Sequence, residues 1–382
     1  MPVSGRKMGS EGDFAIPAGS TVLVTGANGF IGSHVCHELL QLGFNVRGTV
    51  RDTTKYAWLV ETMKSACPRG EFTMVPVPDI EKEGALDPIV EGESTCKRTR
   101  CSGLDTLTII PAYKIGGLGV SAVIHVASPV SFSPHPESVI PVSVAGALNV
   151  LKAANRSPSV KRFVLTSSSV AAALPRPDQA GIDVTADSWN TESVEIAWRE
   201  APYHPQRAWH VYAAGKVEAE RAVWKFYHKD KSRRYDLVVN TVLPSTNFGK
   251  SLDADYQGHP STSSFIESLW NGTHMDRLAC IPPQYFVDVQ DTARFHVAGA
   301  VLPGVQNERI FAWAEPFNFD AVLEIMRIQF PEKNFVGNFH RYRELSVAEK
   351  PQARALELLK QLGREGFVPL KQSVLLNVEK LA

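Results

Sequence analysis

Apolar residues follow two alternating rhythms along this chain. Residues 21–25 (TVLVT) are a short run rich in β-branched side chains, the pattern of a buried strand. Residues 29–42 then place Ile31, Val35, Leu39 and Leu42 on one helical face. The alternation continues with strands over 45–51, 72–77, 122–127, 162–166 and 237–243, and with helices over 53–65, 139–155 and 211–228. Short strands separated by helices imply right-handed βαβ crossovers and a parallel sheet, an α/β class of fold. After Pro244 the pattern becomes irregular, as expected of a smaller C-terminal substrate lobe over 245–382 with some elements returning to the main sheet. Residues 1–20 are polar, rich in Gly and Ser, and read as a flexible leader to a main domain over 21–244.

Composition narrows this picture. A chain of 382 residues with 44% apolar residues supports a large core, in one large α/β domain with an appended lobe or in two domains. Forty basic residues balance forty acidic ones, which leaves no sequence-wide footprint for nucleic acid or an anionic membrane. No apolar run of about 18 residues is expected to span a bilayer. The opening residues lack the apolar core of a signal peptide. Five cysteines in a chain this long do not make a disulfide framework, so reduced thiols and a cytoplasmic location are expected. Cys96 and Cys101 have no matching second pair, so no metal is expected; Cys36 and Cys67 read as apolar fillers.

One stretch breaks the rhythm. Residues 93–119 follow neither period and carry four basic residues, two cysteines and four glycines. A long structureless loop is uncommon inside a compact domain. It reads either as a surface insertion or as a translated retained intron. Gly92-Glu93-Ser94 can be encoded with the splice-donor string GTGAGT, Leu118-Gly119 with an acceptor string, and Leu107-Thr108 with a branch-point-like string. The block is 27 codons, so its removal keeps frame; the remaining chain is mildly acidic, with three cysteines.

The strongest chemical signal is G-x-x-G-x-x-G over 26–32, directly after a strand and opening a helix. Gly26 permits a tight turn, Gly29 lets backbone approach a pyrophosphate, and Gly32 lets helix and strand pack closely. The turn carries Asn28, Phe30 and Ile31, and the helix N-terminus offers free N–H groups to phosphates. This is the dinucleotide site of a Rossmann-type, doubly wound sheet. At the end of the second strand stands Arg51, with Arg47 and Lys55 nearby, which suits the 2′-phosphate of NADP(H) better than the ribose hydroxyl of NAD; Asp52 follows immediately. Asp79 and Ile80, after the third strand, are placed to meet the adenine.

Tyr212 and Lys216 form Y-x-x-x-K, one turn apart on one helix face. A neighbouring ammonium is expected to lower the phenol pKa, which makes proton transfer to an alkoxide feasible, and Lys216 can hold the nicotinamide ribose. A third hydroxyl should hold the carbonyl. The fifth strand runs into Thr166, Ser167, Ser168 and Ser169, all at the carboxyl edge where ligands of such sheets lie, and spacing alone does not choose among them. His125 reads as a satisfied core histidine, and Trp209 and Trp224 as packing.

VTGANGFIGSH, HVAS (125–128), TSSS (166–169) and YAAGK (212–216) together resemble the extended short-chain dehydrogenase/reductase superfamily. VRGTVRD, KRFVLTSS, DSWN (187–190), LP (243–244), NG (271–272) and PPQYFV (282–287) resemble its dihydroflavonol-reductase-like branch, above all fungal and yeast NADPH-dependent aldehyde/ketone reductases. The likeness covers about residues 18–375 and is interrupted only by 93–119, where such proteins pass almost at once from EG to the strand ending in HxAS. It implies a Ser168–Tyr212–Lys216 catalytic set, with NADPH as hydride donor to an aldehyde, ketone or keto ester. It further implies cofactor contacts at Ala127, Ser128, Pro244 and Ser245. Val130, Phe132, Gln257 and Ser263 are expected pocket walls.

Two other readings compete. A nucleotide-sugar epimerase or dehydratase shares this fold, but Ser169 and Val170 follow Ser168 where dehydratases carry an acidic pair, and 245–275 offers a diphosphate only Lys250. A non-catalytic NADP-sensing regulator would not need Ser168, Tyr212 and Lys216. The expected partner is a small carbonyl compound, with neither nucleic acid nor membrane, and the protein is expected to be a monomer or homodimer.

Overall fold

The computed structural model describes residues 14–67, 69–92, 119–128, 131–339 and 342–382. The chain begins β1 (Thr21–Thr25), α1 (Phe30–Gln41), β2 (Asn45–Val50), α2 (Trp58–Ala66), β3 (Phe72–Pro76), α3 (Asp87–Glu91) and β4 (Ala122–His125). It continues with α4 (Ile140–Arg156), β5 (Arg162–Thr166), α5 (Thr191–Ala197), α6 (Arg207–Lys229) and β6 (Val238–Pro244). Next come β7 (Thr246–Phe248), α7 (Ala254–Gln257), α8 (Ser263–Asn271), α9 (Met275–Ala279), β8 (Gln284–Asp288) and α10 (Val289–Val301). The last elements are β9 (Arg309–Ala312), β10 (Glu315–Phe317), α11 (Phe319–Gln329), α12 (Glu349–Gln361) and α13 (Leu370–Val378).

Seven strands form a parallel sheet in the order β3-β2-β1-β4-β5-β6-β9. The chain winds outward from β1 to β3, then crosses back to β4 and winds the other way. This is the Rossmann-type, doubly wound α/β fold, with its switch point between β1 and β4. Side chains alternate across the sheet: Val22 and Val24 pack in the layer that holds Val35, Leu39 and Phe295, while Leu23 packs in the layer that holds Val150, Phe163 and Val223. Helices cover both faces, so β1 is apolar throughout rather than at every second residue.

The smaller lobe is built on a sheet in the order β10-β8-β7, with β8 antiparallel to β10 and parallel to β7. Phe248, Phe286 and Phe317 from its strands pack with Leu269, Val322, Met326 and Val374 from the helices α8, α11 and α13. The lobe is not a simple C-terminal block: β9 returns to pair with β6, and α10 packs into the core beside α1.

Four expectations are corrected. Residues 14–20 are not a free leader: Ile16 is buried, the Ala15 N–H donates to Val301 O at 2.8 Å, and Phe14 meets Phe44 edge-on; residues 1–13 lie outside the described residues. The region after Pro244 is regular, but α10 buries every residue except Gln290, so it shows no one-sided stripe for a pattern search to find. The helix after β2 starts at Trp58, because the carboxylate of Asp52 accepts from the N–H groups of Thr54 and Lys55 and holds that stretch in a turn. Finally, the helical stretch Pro136–Arg156 is long and apolar enough to cross a membrane by length and composition. Its apolarity has a packing cause: Ala147, Val150, Leu151 and Ala154 face the sheet, and Ile140 packs with Val211 and Ala214 of α6.

The two ends of the anomalous block meet. Most of it, 93–118, lies outside the described residues, but the Val120 N–H donates to Val90 O at 3.0 Å, and Gly92 sits at φ +82°. Joining Gly92 to Val120 would make Val90–Glu91–Gly92–Val120 a four-residue turn. Its closing hydrogen bond already exists, and its third residue is a glycine at positive φ. A chain lacking 93–119 is therefore expected to fold with soluble yield and Tm at least equal to those of the full chain. A lower Tm for the shortened chain would show that the block is part of the fold.

Candidate active site

The site forms where β1 and β4 diverge. Gly26 ends β1 at φ +67°, and a Cβ there would lie 3.1 Å from the backbone of Ala127, just past β4. A Cβ on Gly32 would lie 2.1 Å from Gly26 O, so only glycine lets α1 start this close to the strand. The turn is tied by Ala27 N–H to Thr49 O and by Gly29 N–H to Gly26 O, both at 3.0 Å. The N-cap of α1 is Gly29, with no side-chain cap and no acidic residue in the first turn. Asn28, Phe30 and Ile31 complete this turn, which presents uncapped N–H groups and the positive end of a 12-residue helix. An anionic pyrophosphate is the group such a cradle fits.

Around the adenine side, the structure separates the basic residues. Arg51 is exposed and Lys55 lies over the Tyr56 ring, so both are within reach of solvent. Arg47 is not available: it is buried, and its guanidinium donates to Ile89 O. Asp52 accepts from the N–H groups of Thr54 and Lys55 through one carboxylate oxygen. Asp79 is exposed and accepts from the Glu81 N–H at 2.9 Å, while Ile80 packs against the core.

The four hydroxyls after β5 have four different fates. Thr166 bonds His296 at 2.7 Å. Ser167 donates to the Glu220 carboxylate at 2.6 Å. Ser168 approaches the Tyr212 phenol closely enough to favour its ionised form. Ser169 lines a small cavity with Ala173, Ser245, Tyr285, Trp313 and Glu344. Ser168 is the one that meets the tyrosine, a choice that spacing left open.

Tyr212 and Lys216 sit one turn apart on α6, but they do not pair directly. The Lys216 ammonium donates to Ser128 Oγ at 3.1 Å. Burial pushes the lysine down to about 8, with Glu220 opposing that fall. Burial likewise raises the phenol above its usual range, and the approach of Ser168 opposes it. The net shift of the phenol is therefore upward, against the expected lowering, because the cost of burying phenolate outweighs what its neighbours give back. Phe132 lies 5.0 Å from the Tyr212 ring and 5.0 Å from Trp209, and both apolar rings remain substantially exposed, at 44% and 39%.

His125 is neutral and structural. Thr25 Oγ1 accepts from the N–H groups of Val126 and Ala127, so its own proton goes to His125 Nδ1 at 2.8 Å. Burial, aided by Lys216, pushes the imidazole down to about 3. Pro244 ends β6, and the Ser245 hydroxyl donates to Ala312 O at 3.1 Å. Val130 lies outside the described residues. Gln257 and Ser263 differ from free pocket walls. Gln257 donates to Asn28 O and Ser33 Oγ and accepts from the N–H groups of Leu252 and Asp253; it braces the lobe against the glycine turn. Ser263 is fully buried and donates to Pro260 O at 2.6 Å.

Sequence reasoning missed Glu220. It is fully buried and accepts from Ser167, from Thr241 at 2.9 Å, from Trp224 at 3.2 Å and from Arg309 at 2.7 Å. Breaking such a pair by removing one partner typically costs about 3–5 kcal/mol. The signal was present as a carboxylate four residues after Lys216, on the same helix face.

The fold and the glycine turn define a Rossmann-type dinucleotide-binding protein. The chain belongs to the NAD dependent epimerase/dehydratase family, whose model matches residues 22–301. It is 38% identical to aldehyde reductase 2 of Sporidiobolus salmonicolor over 359 residues, covering 94% of this chain and 95% of that protein. It is 35% identical to the ketoreductase adrE of Penicillium roqueforti over 367 residues, covering 95% and 96%. Among solved structures, the NADPH complex of Gre2 from Candida albicans superposes with a TM-score of 0.73 at 25% identity, covering 95% of this chain and 98% of that one.

The buried histidines give the fold an acid limit. His34, His125 and His296 are pushed down to about 4, 3 and 4 by burial. The unfolded chain therefore binds more protons below the ordinary histidine pKa of about 6.5, and each group lowers stability by up to about 1.4 kcal/mol for every pH unit of acidification. Asp288, pushed up to about 6, and Asp291, also raised by burial, act in the opposite sense but are two groups against three. Tm is expected to drop steadily from about pH 6.5 to pH 4. A flat Tm across that window would place these histidines in contact with solvent.

Proposed function

We propose that this protein is an NADPH-dependent reductase that converts an aldehyde, ketone or keto ester to its alcohol. The observation that carries the reading is the approach of the Ser168 hydroxyl to the Tyr212 phenol, with Lys216 one turn along α6 and bonded to Ser128 just past the strand that lies against the glycine turn. The reduced nicotinamide supplies a hydride for the carbonyl carbon, and the chain's own groups do the rest. Ser168 and Tyr212 converge on one carbonyl oxygen and polarise it. Tyr212 gives that oxygen its proton as negative charge develops. Lys216, cationic below about pH 8, offsets the charge left on the phenolate and is placed with Ser128 to hold the ribose hydroxyls.

Gly26, Asn28, Gly29, Phe30, Ile31 and Gly32 hold the pyrophosphate in this reading, and Arg51 with Lys55 holds the 2′-phosphate. Asp79 and Ile80 meet the adenine; Ala127, Ser128, Pro244 and Ser245 line the nicotinamide half. Support comes from the names of the relatives, an aldehyde reductase and a ketoreductase, and from the NADPH in the similar structure. The surroundings suit a neutral, apolar carbonyl compound. Phe132 packs against Tyr212 and, on its other side, Trp209, so among the described residues the exposed surface next to the phenol is aromatic and offers no cation for a diphosphate. This weighs against a nucleotide-sugar substrate, although a relative from Aspergillus terreus at 34% identity is named an epimerase/dehydratase.

Tyr212→Phe is expected to lower kcat for reduction of a panel of aldehydes, ketones and keto esters by about 100- to 10,000-fold, with NADPH affinity by fluorescence little changed. An unchanged rate would remove the phenol from the reaction. Arg51→Ala is expected to weaken NADPH by roughly 10- to 100-fold and NADH hardly at all, since a charge-assisted hydrogen bond contributes about 1.5–3 kcal/mol. Equal weakening of both would reject its role at the 2′-phosphate.

A further inference from the structure

We infer that Glu220 is a positioning residue for the reaction: its buried carboxylate links the helix carrying Tyr212 and Lys216 to the strand end carrying Ser168, and holds a negative charge beneath Lys216. The inference rests on the reductase reading above. Glu220 lies one turn after Lys216 and two turns after Tyr212 on α6. One carboxylate oxygen, Oε2, accepts from Ser167 at 2.6 Å, and Ser167 is the residue before Ser168. The other, Oε1, accepts from Thr241 of β6 and from Arg309 of β9. Three parallel strands and one helix therefore meet at a single side chain.

The helix and the strand end carry the two halves of the site. Ser168 approaches Tyr212 from β5, and Ser167 beside it is held to α6 by the Glu220 carboxylate. Moving a reacting group by about 1 Å can cost on the order of 100-fold in rate, so this spacing is worth a dedicated tie. The Ser167 N–H already donates to Val242 O at 2.7 Å, which leaves the hydroxyl free to serve this purpose.

The charge has a second effect. The groups facing Lys216 are Tyr212 and Glu220 on its own helix, neutral His125 on β4, Ser128 after β4, and Arg309 of β9 behind Glu220. Among them only Glu220 is anionic. It favours the protonated lysine, and Arg309 confines it in the fully buried position from which it acts.

Two variants test the two halves on the wild-type background with NADPH and a carbonyl substrate. Ser167→Ala keeps the Glu220–Arg309 pair and cuts only the tie. It is expected to lower kcat by about 10- to 100-fold, with KM for NADPH unchanged and Tm within a few degrees. An unchanged kcat overturns the tie. The double variant E220Q/R309M removes both members of the ion pair, so Arg309 is not left as an unpaired buried cation. Without the carboxylate, Lys216 loses its proton at lower pH, and the alkaline limb of kcat/KM for reduction is expected to shift down by about one pH unit. A purely structural residue would lower the profile without moving its limb, so an unmoved limb overturns the charge effect. Should the wild type reduce no carbonyl compound, the reductase reading itself fails; wild-type turnover with both variants unchanged overturns Glu220 alone.

Discussion

The close approach of Gly26 to Ala127 is the constraint on which this architecture turns. Strands β1 and β4 are neighbours in a parallel sheet, so their carboxyl ends emerge side by side. A crevice opens there only if the first turn stays low against the second strand. The absence of a side chain at Gly26, and the small one at Ala127, allow this. Thr25 completes the junction by accepting the two N–H groups that follow β4 and by donating to His125. From that junction the glycine turn runs to one side and Ser128 to the other, where it meets Lys216.

Burial governs the chemistry of the groups at this edge. The same desolvation that raises the Tyr212 phenol depresses Lys216 and His125. Each is then rescued or neutralised by a specific neighbour: Ser168 for the phenol, Glu220 for the ammonium, Thr25 for the imidazole. A phenol held protonated and a lysine poised near neutrality suit proton donation to an oxygen. The network costs stability in acid, because the histidines must stay neutral inside the fold.

Much of the fold was legible from the chain. The first six strands were readable because each is a short run rich in apolar or β-branched residues, and α1 and α4 because their stripes or lengths stand out. The edges of these elements, and most of the lobe, were not. Helix α10 is buried all round, so the contrast between faces that marks a surface helix is missing. The stretch 53–57 has helical composition but is held in a turn by Asp52. Residues 14–20 look like a polar leader, yet Ile16 and Phe14 find a core that no local pattern could announce.

Local spacing alone determined the glycine turn and the tyrosine–lysine pair, because each depends on residues within one turn of helix or one strand–helix junction. The tertiary structure decided which of four hydroxyls faces Tyr212, because Thr166 and Ser167 are claimed by His296 and Glu220, residues more than fifty positions away. It decided that Arg47 is spent on Ile89 while Arg51 stays open to solvent, and that Gln257 braces the glycine turn instead of lining a pocket. Those outcomes depend on burial and on partners from distant elements. Neither is written into local sequence; both arise when the sheet brings its strand ends together.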